Sequence, residues 1–372
     1  MTWQEFEQRF SIQLNEQQKQ AVQTVEGPVL LLAVPGSGKT TVLVTRLGYM
    51  IHCKGIDPRR ILTVTYTVAA TKDMAARFAA KFGPELAEQL EFRTINGICA
   101  KVLQYYGYRT GKTPHQLLND ENRIAGILAE IYQRVERVYP TDGDLKNIRM
   151  LITYIKNMML NEDEIEALDE GAECKISVIY REYCSKLKEL QMIDYDDQMV
   201  YAYVMLKKIP WLLAYFQELY PYICVDEAQD TSKIQHAIIA LLAARMENLF
   251  MVGDEDQSIY GFRAAYPEAL LEFEQRHRGA KVLLMEENFR SDANIVAAAD
   301  HFIQKNTLRH EKHMRAFRES VQQIKEIPVG TRKAQYAYLA KVAEGCTTET
   351  AVLYREHECA LPLIDLLERK GI

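Results

Sequence analysis

The sequence predicts an α/β fold built around a parallel sheet, and two observations predict it. Short, wholly apolar runs recur along the chain, each followed by polar residues and then a helical pattern, as strands buried on both faces require. The first of these runs passes directly into a glycine-rich turn and a helix start, "AVPGSGKTT", Ala33 to Thr41.

Taken in order, the runs are "PVLLLA" (28–33), "ILTVTY" (61–66), "YICV" (222–225), "LFMV" (249–252), "VLLM" (282–285) and "TAVLY" (350–354), all read as strands. From Gly107 to Leu190 such runs stop. The text there becomes long, charged and helix-forming, with "TPHQ" and "YPTDGD" as turn-like breaks, and reads as a helical insertion. No internal repeat or low-complexity tract occurs.

The 372 residues are 48% apolar and 26% charged, ordinary for a globular chain with core enough for two or three domains. Seven scattered cysteines, never spaced C-x-x-C, and eight histidines without an H-E-x-x-H pattern argue for reduced thiols and no structural metal. The start lacks an apolar signal core and no run approaches the roughly 18 apolar residues of a membrane span, so a cytoplasmic chain without membrane contact is expected. A net charge of -6 gives no global attraction to nucleic acid. Any such binding must be confined to a groove.

The glycine-rich turn carries the clearest chemistry. In a strand–loop–helix setting, Gly36 and Gly38 let the N–H groups of Pro35–Thr41 other than proline face a phosphate chain, with Ser37 between them. Lys39 reaches the terminal phosphates, and the Thr40 hydroxyl ligates Mg²⁺. Ala33 stands where the strict P-loop pattern has Gly. "YICVDEAQD" (222–230) supplies the partner: an apolar strand delivers Asp226 to the sheet edge as a second Mg²⁺ contact, with Glu227 beside it to orient or deprotonate a water. Acids favoured by a helix N-terminus are the bland alternative. A further stretch, "MVGDEDQSIYGFRAAY" (251–266), places Gln257, Tyr260, Phe262 and Arg263 directly after a core strand, where aromatic faces and a cation suit sequence-tolerant stacking on single-stranded nucleic acid. Core packing is the alternative for the aromatics.

"LNEQQKQAV" (14–22), "GSGKTT", "ILTVTYTVAATKDMAARF", "VDEAQDTSKIQ", "VGDEDQSIYGFRAA" and "EENFRSDANIV" together resemble superfamily 1 DNA helicases of the UvrD/Rep/PcrA type. The resemblance implies ATP-driven translocation on single-stranded DNA, with 3′-to-5′ unwinding at duplex junctions and Mg·ATP as cofactor. By it Gln18 would contact the adenine edge and Phe289 would stack on the base, near Thr41. Gln229 would set catalytic geometry, Gln257 would sense the γ-phosphate, and Arg290 would act as the arginine finger. Tyr66, Thr67, Asn96, Tyr260, Phe262 and Arg263 would meet DNA, and repair or recombination proteins stand as candidate partners.

The chain departs from the family at several places. Val68 stands where relatives often have Asn, Asn96 where they often have His, and Thr41 where several have Arg. The family's later motifs do not occur before Ile372, so the sequence resembles an N-terminal fragment. The expected organisation is a RecA-like ATP-binding lobe over 1–106 and 193–283, a helical subdomain over 107–192, and a partial second RecA-like lobe over 284–372. Asp194, Asp196 and Asp197 in "IDYDDQ" read either as the return into the first lobe or as a helix cap. A nucleotide- and DNA-binding module without turnover, or the motor subunit of a helicase–nuclease complex, remain the alternative functions.

Overall fold

A computed structural model describes residues 1–261, 264–321 and 323–372. Six strands form one parallel sheet: β1 (Val29–Ala33), β2 (Ile61–Thr65), β3 (Glu91–Thr94), β4 (Tyr222–Val225), β5 (Asn248–Gly253) and β6 (Lys281–Met285). Their spatial order is β3-β2-β4-β5-β1-β6. The register pairs Leu30 of β1 with Met251 of β5 and with Val282 of β6, and Leu62 of β2 with Ile223 of β4. β1, β2 and β5 are buried along their whole length, which is why no alternation shows in their sequences.

The pleat divides each strand between two cores. Leu30, Leu32, Leu62, Val64, Ile223 and Met251 pack with Cys99, Leu206, Phe216 and Ile238 on one face. Val29, Leu31, Ile61, Cys224, Phe250 and Val252 pack with Phe6, Val22, Leu43 and Phe78 on the other. On this second face Arg46 is buried without a carboxylate. It donates instead to the carbonyls of Ala21 (2.8 Å) and Val25 (3.2 Å) at the end of helix Glu16–Gln23, and its guanidinium lies 4.0 Å from the Phe250 ring centroid. The helix bearing Gln18 is thereby tied to the helix that follows the glycine-rich turn, Lys39–His52.

The expected strand "ILTVTY" ends at Thr65, one residue early. Glu91–Thr94 was not expected, because a partly exposed edge strand reading "EFRT" carries no apolar run. The other departure is "TAVLY": residues 350–354 form no strand. Leu353 is almost fully exposed, and with no neighbouring strand its backbone groups have no ladder to join.

Between Gly107 and Leu190 the helices Glu121–Glu136, Asp142–Met158, Glu162–Ala167 and Ile176–Glu189 surround a separate apolar cluster that includes Ile124, Leu128, Ile152, Ile179 and Leu187. The one extended piece within that stretch, Gln116–Leu117, pairs in parallel with Met192–Ile193, so the segment leaves and re-enters at one place. Asp194 then caps helix Tyr195–Lys208, its carboxylate accepting from the Asp197 N–H at 2.7 Å, as the cap reading of "IDYDDQ" expects. It does more. Lys156, almost fully buried, lies 2.7 Å from Asp194 and 2.8 Å from Asp197. Beside it Asn157 donates to Asp196 (2.7 Å) and accepts from the Ser232 hydroxyl (2.9 Å).

Backbone contacts divide the chain into two compact units, Met1–Ser320 and Val321–Ile372. Strand β6 spans residues 281–285 and so crosses the 283/284 division expected from the sequence. The smaller unit pairs helix Arg332–Glu344, capped by Thr331, with helix His357–Arg369; the Tyr336 hydroxyl donates to the Cys359 carbonyl at 3.0 Å. Among the described residues no helix is long and apolar enough to cross a membrane.

Removing one member of a buried charge cluster strands the others. Lys156→Met should destabilise the chain by about 3 to 5 kcal/mol, read as a fall in denaturation midpoint. Adding Asp194→Asn and Asp197→Asn should recover part of that loss.

Candidate nucleotide and DNA site

Parallel strands deliver their following loops to one edge of the sheet, and here the strand order sets the order of the candidate residues along it. From one side to the other the edge carries Thr94–Asn96 after β3, Tyr66 and Thr67 after β2, Asp226 and Glu227 after β4, Asp254–Gln257 after β5, the glycine-rich turn after β1, and Glu286–Arg290 after β6. Of the residues expected to meet DNA, Tyr260 follows the turn after β5, while Asn96, Tyr66 and Thr67 lie toward one end and the glycine-rich turn toward the other. The two acids lie between them.

In the glycine-rich turn Gly36 and Gly38 adopt φ of 73° and 85°, a left-handed region that a side chain would strain. Space forbids one at Gly36, where a Cβ would stand 2.7 Å from Asn288 Oδ1 and 2.9 Å from Arg290 Cβ, and crowds one at Gly38, where it would stand 3.1 Å from Gln18 Nε2. Gln18 donates to the Ser37 carbonyl at 2.9 Å, the Ser37 hydroxyl donates to the Val34 carbonyl at 2.7 Å, and the Phe289 N–H donates to the Gly36 carbonyl at 3.0 Å. Gln18, Phe289 and Arg290 are therefore gathered at one loop. The Phe289 ring meets Phe317 at 5.0 Å between centroids. Thr41 is exposed and, with Thr40 and Leu14, lines an opening of about 290 Å³.

Lys39 reaches across to Glu227, Nζ to Oε2 at 2.9 Å. Glu227 holds a left-handed backbone (φ 47°, ψ 49°), rare for a residue with a side chain. Its carboxylate also accepts from Gln229 Nε2 at 2.9 Å, while Gln229 Oε1 accepts from the Asp254 N–H at 3.1 Å. Gly253 keeps that amide in place, since a Cβ there would stand 2.7 Å from Gln229 Oε1. Gln257 in turn donates to Asp254 Oδ2 at 2.7 Å. Four of the expected catalytic residues, Lys39, Glu227, Gln229 and Gln257, thus form one chain of contacts with Asp254 as the link.

Asp226 is buried at the end of β4, its N–H bonded to the Val64 carbonyl. Burial and the neighbouring Glu227 raise its carboxyl to about 6 against the partial relief of Lys39, and the same causes raise Asp230 to about 6. Asp230 Oδ1 is buried without a hydrogen-bond partner. Crowded carboxylates with so little cationic compensation, facing a turn whose N–H groups and lysine suit phosphate, fit a Mg·nucleotide. Asp226 and the Thr40 hydroxyl are the protein groups that could take the metal. Among the described residues no group of three or more His, Cys, Asp or Glu is placed to hold a metal.

Towards β3 a cavity of about 260 Å³ is lined by Tyr66, Val68, Asn96, Tyr195, Gln235 and Asp226 among others, so the expected DNA contacts Tyr66 and Asn96 share a space with the acid. The Tyr66 ring stacks with Tyr260 at 6.0 Å and 21°. Thr67 is used as a helix cap, accepting from the Ala70 N–H, and Asn96 is held through its carbonyl by Gln198 Nε2 at 2.7 Å. Phe262 and Arg263 lie outside the described residues.

Sequence reasoning missed Asn288, whose amide oxygen accepts from the Arg290 and Ser291 N–H groups at 2.8 and 2.9 Å, and it missed Gln198 and Asp230. All three sit inside quoted stretches, Asn288 in "EENFRSDANIV", but each acts through backbone or side-chain partners that its own stretch does not announce.

A family model for the UvrD/REP helicase N-terminal domain matches residues 14–278. The chain is 31% identical to the ATP-dependent DNA helicase PcrA of Staphylococcus epidermidis over 352 residues, covering 92% of this chain and 48% of that protein. It is 33% identical to the proteins of the same name from Leuconostoc citreum, covering 81% and 40%, and Bacillus subtilis, covering 81% and 41%. The chain thus spans about half the length, or less, of these relatives.

The raised Asp226 carboxyl sets a pH dependence. Between its ordinary value of 3.8 and about 6 the folded chain keeps a proton that the unfolded chain has released, so stability falls as pH rises through that window and the ionised carboxylate is a cost above it. Asp226→Asn should therefore stabilise the metal-free chain by about 1 to 3 kcal/mol near pH 8 and by much less near pH 4. Thermal melts at the two pH values check this; an equal effect at both would contradict it.

Proposed function

The chain belongs to the UvrD/REP helicase family, and on that premise we propose that it is the Mg·ATP-hydrolysing, single-stranded-DNA-gripping part of an ATP-dependent DNA helicase. The observation that carries the reading is the contact of Lys39 with Glu227 across the glycine-rich turn, with Asp226 buried beside them. In the resting site the lysine neutralises the acid. A triphosphate would draw Lys39 to its β and γ oxygens and free Glu227 to take a proton from the attacking water, while Asp226 and Thr40 hold the ion that screens the phosphates. Gln18 and Phe289, with Thr41 nearby, would frame the base, Pro35, Gly36, Ser37 and Gly38 would wrap the phosphates, and Arg290, beside Gly36, would meet charge developing on the γ-phosphoryl group.

The DNA track in this reading runs over Tyr66, Thr67, Asn96 and Tyr260, and Phe262 and Arg263 are proposed DNA contacts from the sequence alone. The paired Tyr66 and Tyr260 rings supply a stacking surface. The link from Glu227 through Gln229 and Asp254 to Gln257 gives the two ends a route for coupling. The proposed organisation is a first RecA-like lobe over 1–106 and 193–283, a helical subdomain over 107–192 and part of a second lobe over 284–372.

Two substitutions test the roles. Lys39→Ala should weaken Mg·ATP binding by roughly 10- to 100-fold, the worth of a charge-assisted hydrogen bond. Glu227→Gln should keep nucleotide affinity and lower phosphate release, with oligodeoxythymidylate present, by roughly 10² to 10⁴. Fluorescent-nucleotide titration and a phosphate-release assay read the two; equal loss of binding in both variants would make Glu227 structural. Tight binding by the unsubstituted chain with no turnover on any DNA would favour the binding-module alternative.

A further inference from the structure

Asp254, Glu255 and Asp256 are three consecutive acids on the turn that ends in Gln257, and all three point into protein. Such a cluster needs cations brought to it. Lys312, 1% exposed, places Nζ 3.1 Å from Asp254 Oδ1, 2.7 Å from Glu255 Oε1 and 2.9 Å from Asp256 Oδ2. Arg309 grips the Asp256 carboxylate through Nε at 3.0 Å and Nη2 at 2.8 Å, and the His310 N–H donates to Glu255 Oε1 at 2.8 Å. Burial works against charge on Glu255, yet the His310 and Lys312 contacts outweigh it and hold the carboxyl down at about 2. A short run of chain, 309–312, thus supplies the cations that the acid turn requires.

The same run continues onto the other side of the nucleotide site. The His313 N–H donates to Glu286 Oε1 (3.0 Å), the Arg315 N–H to the Glu286 carbonyl (2.8 Å) and the Phe317 N–H to the Asn288 carbonyl (3.0 Å). Glu287–Asn288 is the two-residue strand that pairs with Arg315–Ala316 and leads into Phe289 and Arg290. Residues 309–317 therefore hold the Gln257 turn with one end and the Arg290 loop with the other.

We propose that Arg309 and Lys312 are positioning residues that set Gln257 against the γ-phosphate position and fix its spacing from Arg290, so that this clamp confers discrimination between nucleoside triphosphate and diphosphate. The inference rests on the γ-phosphate role of Gln257 in the reading above. Both residues bond to the acid turn and not to the glycine-rich turn. The buried geometry explains why both are needed: Asp254, which Gln257 bonds directly, is balanced among the described residues by Lys312, and Asp256, which neighbours Gln257, is held mainly by the planar fork of Arg309.

The test compares affinities of the whole chain for ATPγS and ADP, both with Mg²⁺, together with the melting temperature. Gln257→Ala should lower the ATPγS-to-ADP affinity ratio with little change for ADP. Arg309→Gln should lower the same ratio by roughly fivefold or more, within the range of ordinary coupling free energies, and should add nothing further in the Gln257→Ala background. Arg309→Lys, which keeps charge but loses the fork, should fall between. Lys312→Met should act like Arg309→Gln if it folds; the milder Arg309 variants carry the test if it does not. A lower melting temperature with the ratio unchanged would make the clamp merely structural and overturn the proposal, as would additive effects in the double variant. If Gln257→Ala itself leaves the ratio unchanged, the γ-phosphate role fails first and the clamp proposal with it.

Discussion

All six strands of the sheet run the same way, and the chemistry of this chain depends on that single constraint. Parallel pairing sends every β-to-α loop to one edge, where backbone groups no longer have ladder partners and polar side chains gather. Because β1 sits between β5 and β6 while β2 sits between β3 and β4, that edge is ordered rather than mixed. The glycine-rich turn is flanked by the Gln257 turn and the Arg290 loop, and the acids after β4 are its next neighbours but one. A change in strand order would leave every motif intact in sequence and scatter them in space.

Much of this was legible in the residues. The apolar runs marked five of the six strands, because a strand buried on both faces must be apolar throughout. The positive φ of Gly36 and Gly38 is what the P-loop spacing encodes. What stayed hidden shares a physical feature: it depends on partners distant in sequence. Glu91–Thr94 is a strand because β2 pairs with it, not because of its own composition. The run "TAVLY" has strand composition and no neighbour to pair with. The acids of "GDEDQ" are compensated by Lys312 and Arg309, more than 50 positions later, and nothing in either stretch alone announces the other.

The acidic segments also show why charge counts mislead. Asp226 and Asp230 are pushed upward by burial and by Glu227, whereas Glu255, as buried as Asp226, is held down because donors converge on it. Carboxylates at one sheet edge thus behave in opposite senses. The difference is the number of donors that the surrounding chain delivers, and it separates a site short of cations, suited to a metal and phosphate, from one that the fold has already neutralised.

The hydrogen bonds from Asn157 bear on motion. Its side chain reaches Asp196 and the Ser232 hydroxyl, while the adjacent Lys156 is enclosed by Asp194 and Asp197, so one end of helix Asp142–Met158 is latched both to helix Tyr195–Lys208 with its cap and to the segment just beyond Asp226 and Glu227. Polar contacts of this kind weaken steeply with distance and angle, and inside protein no water waits to replace them. The helix therefore cannot drift by a fraction of an ångström at small cost. Any shift at this end loses several polar contacts together, so the place of this helix and that of the segment after the acid strand are tied to one another.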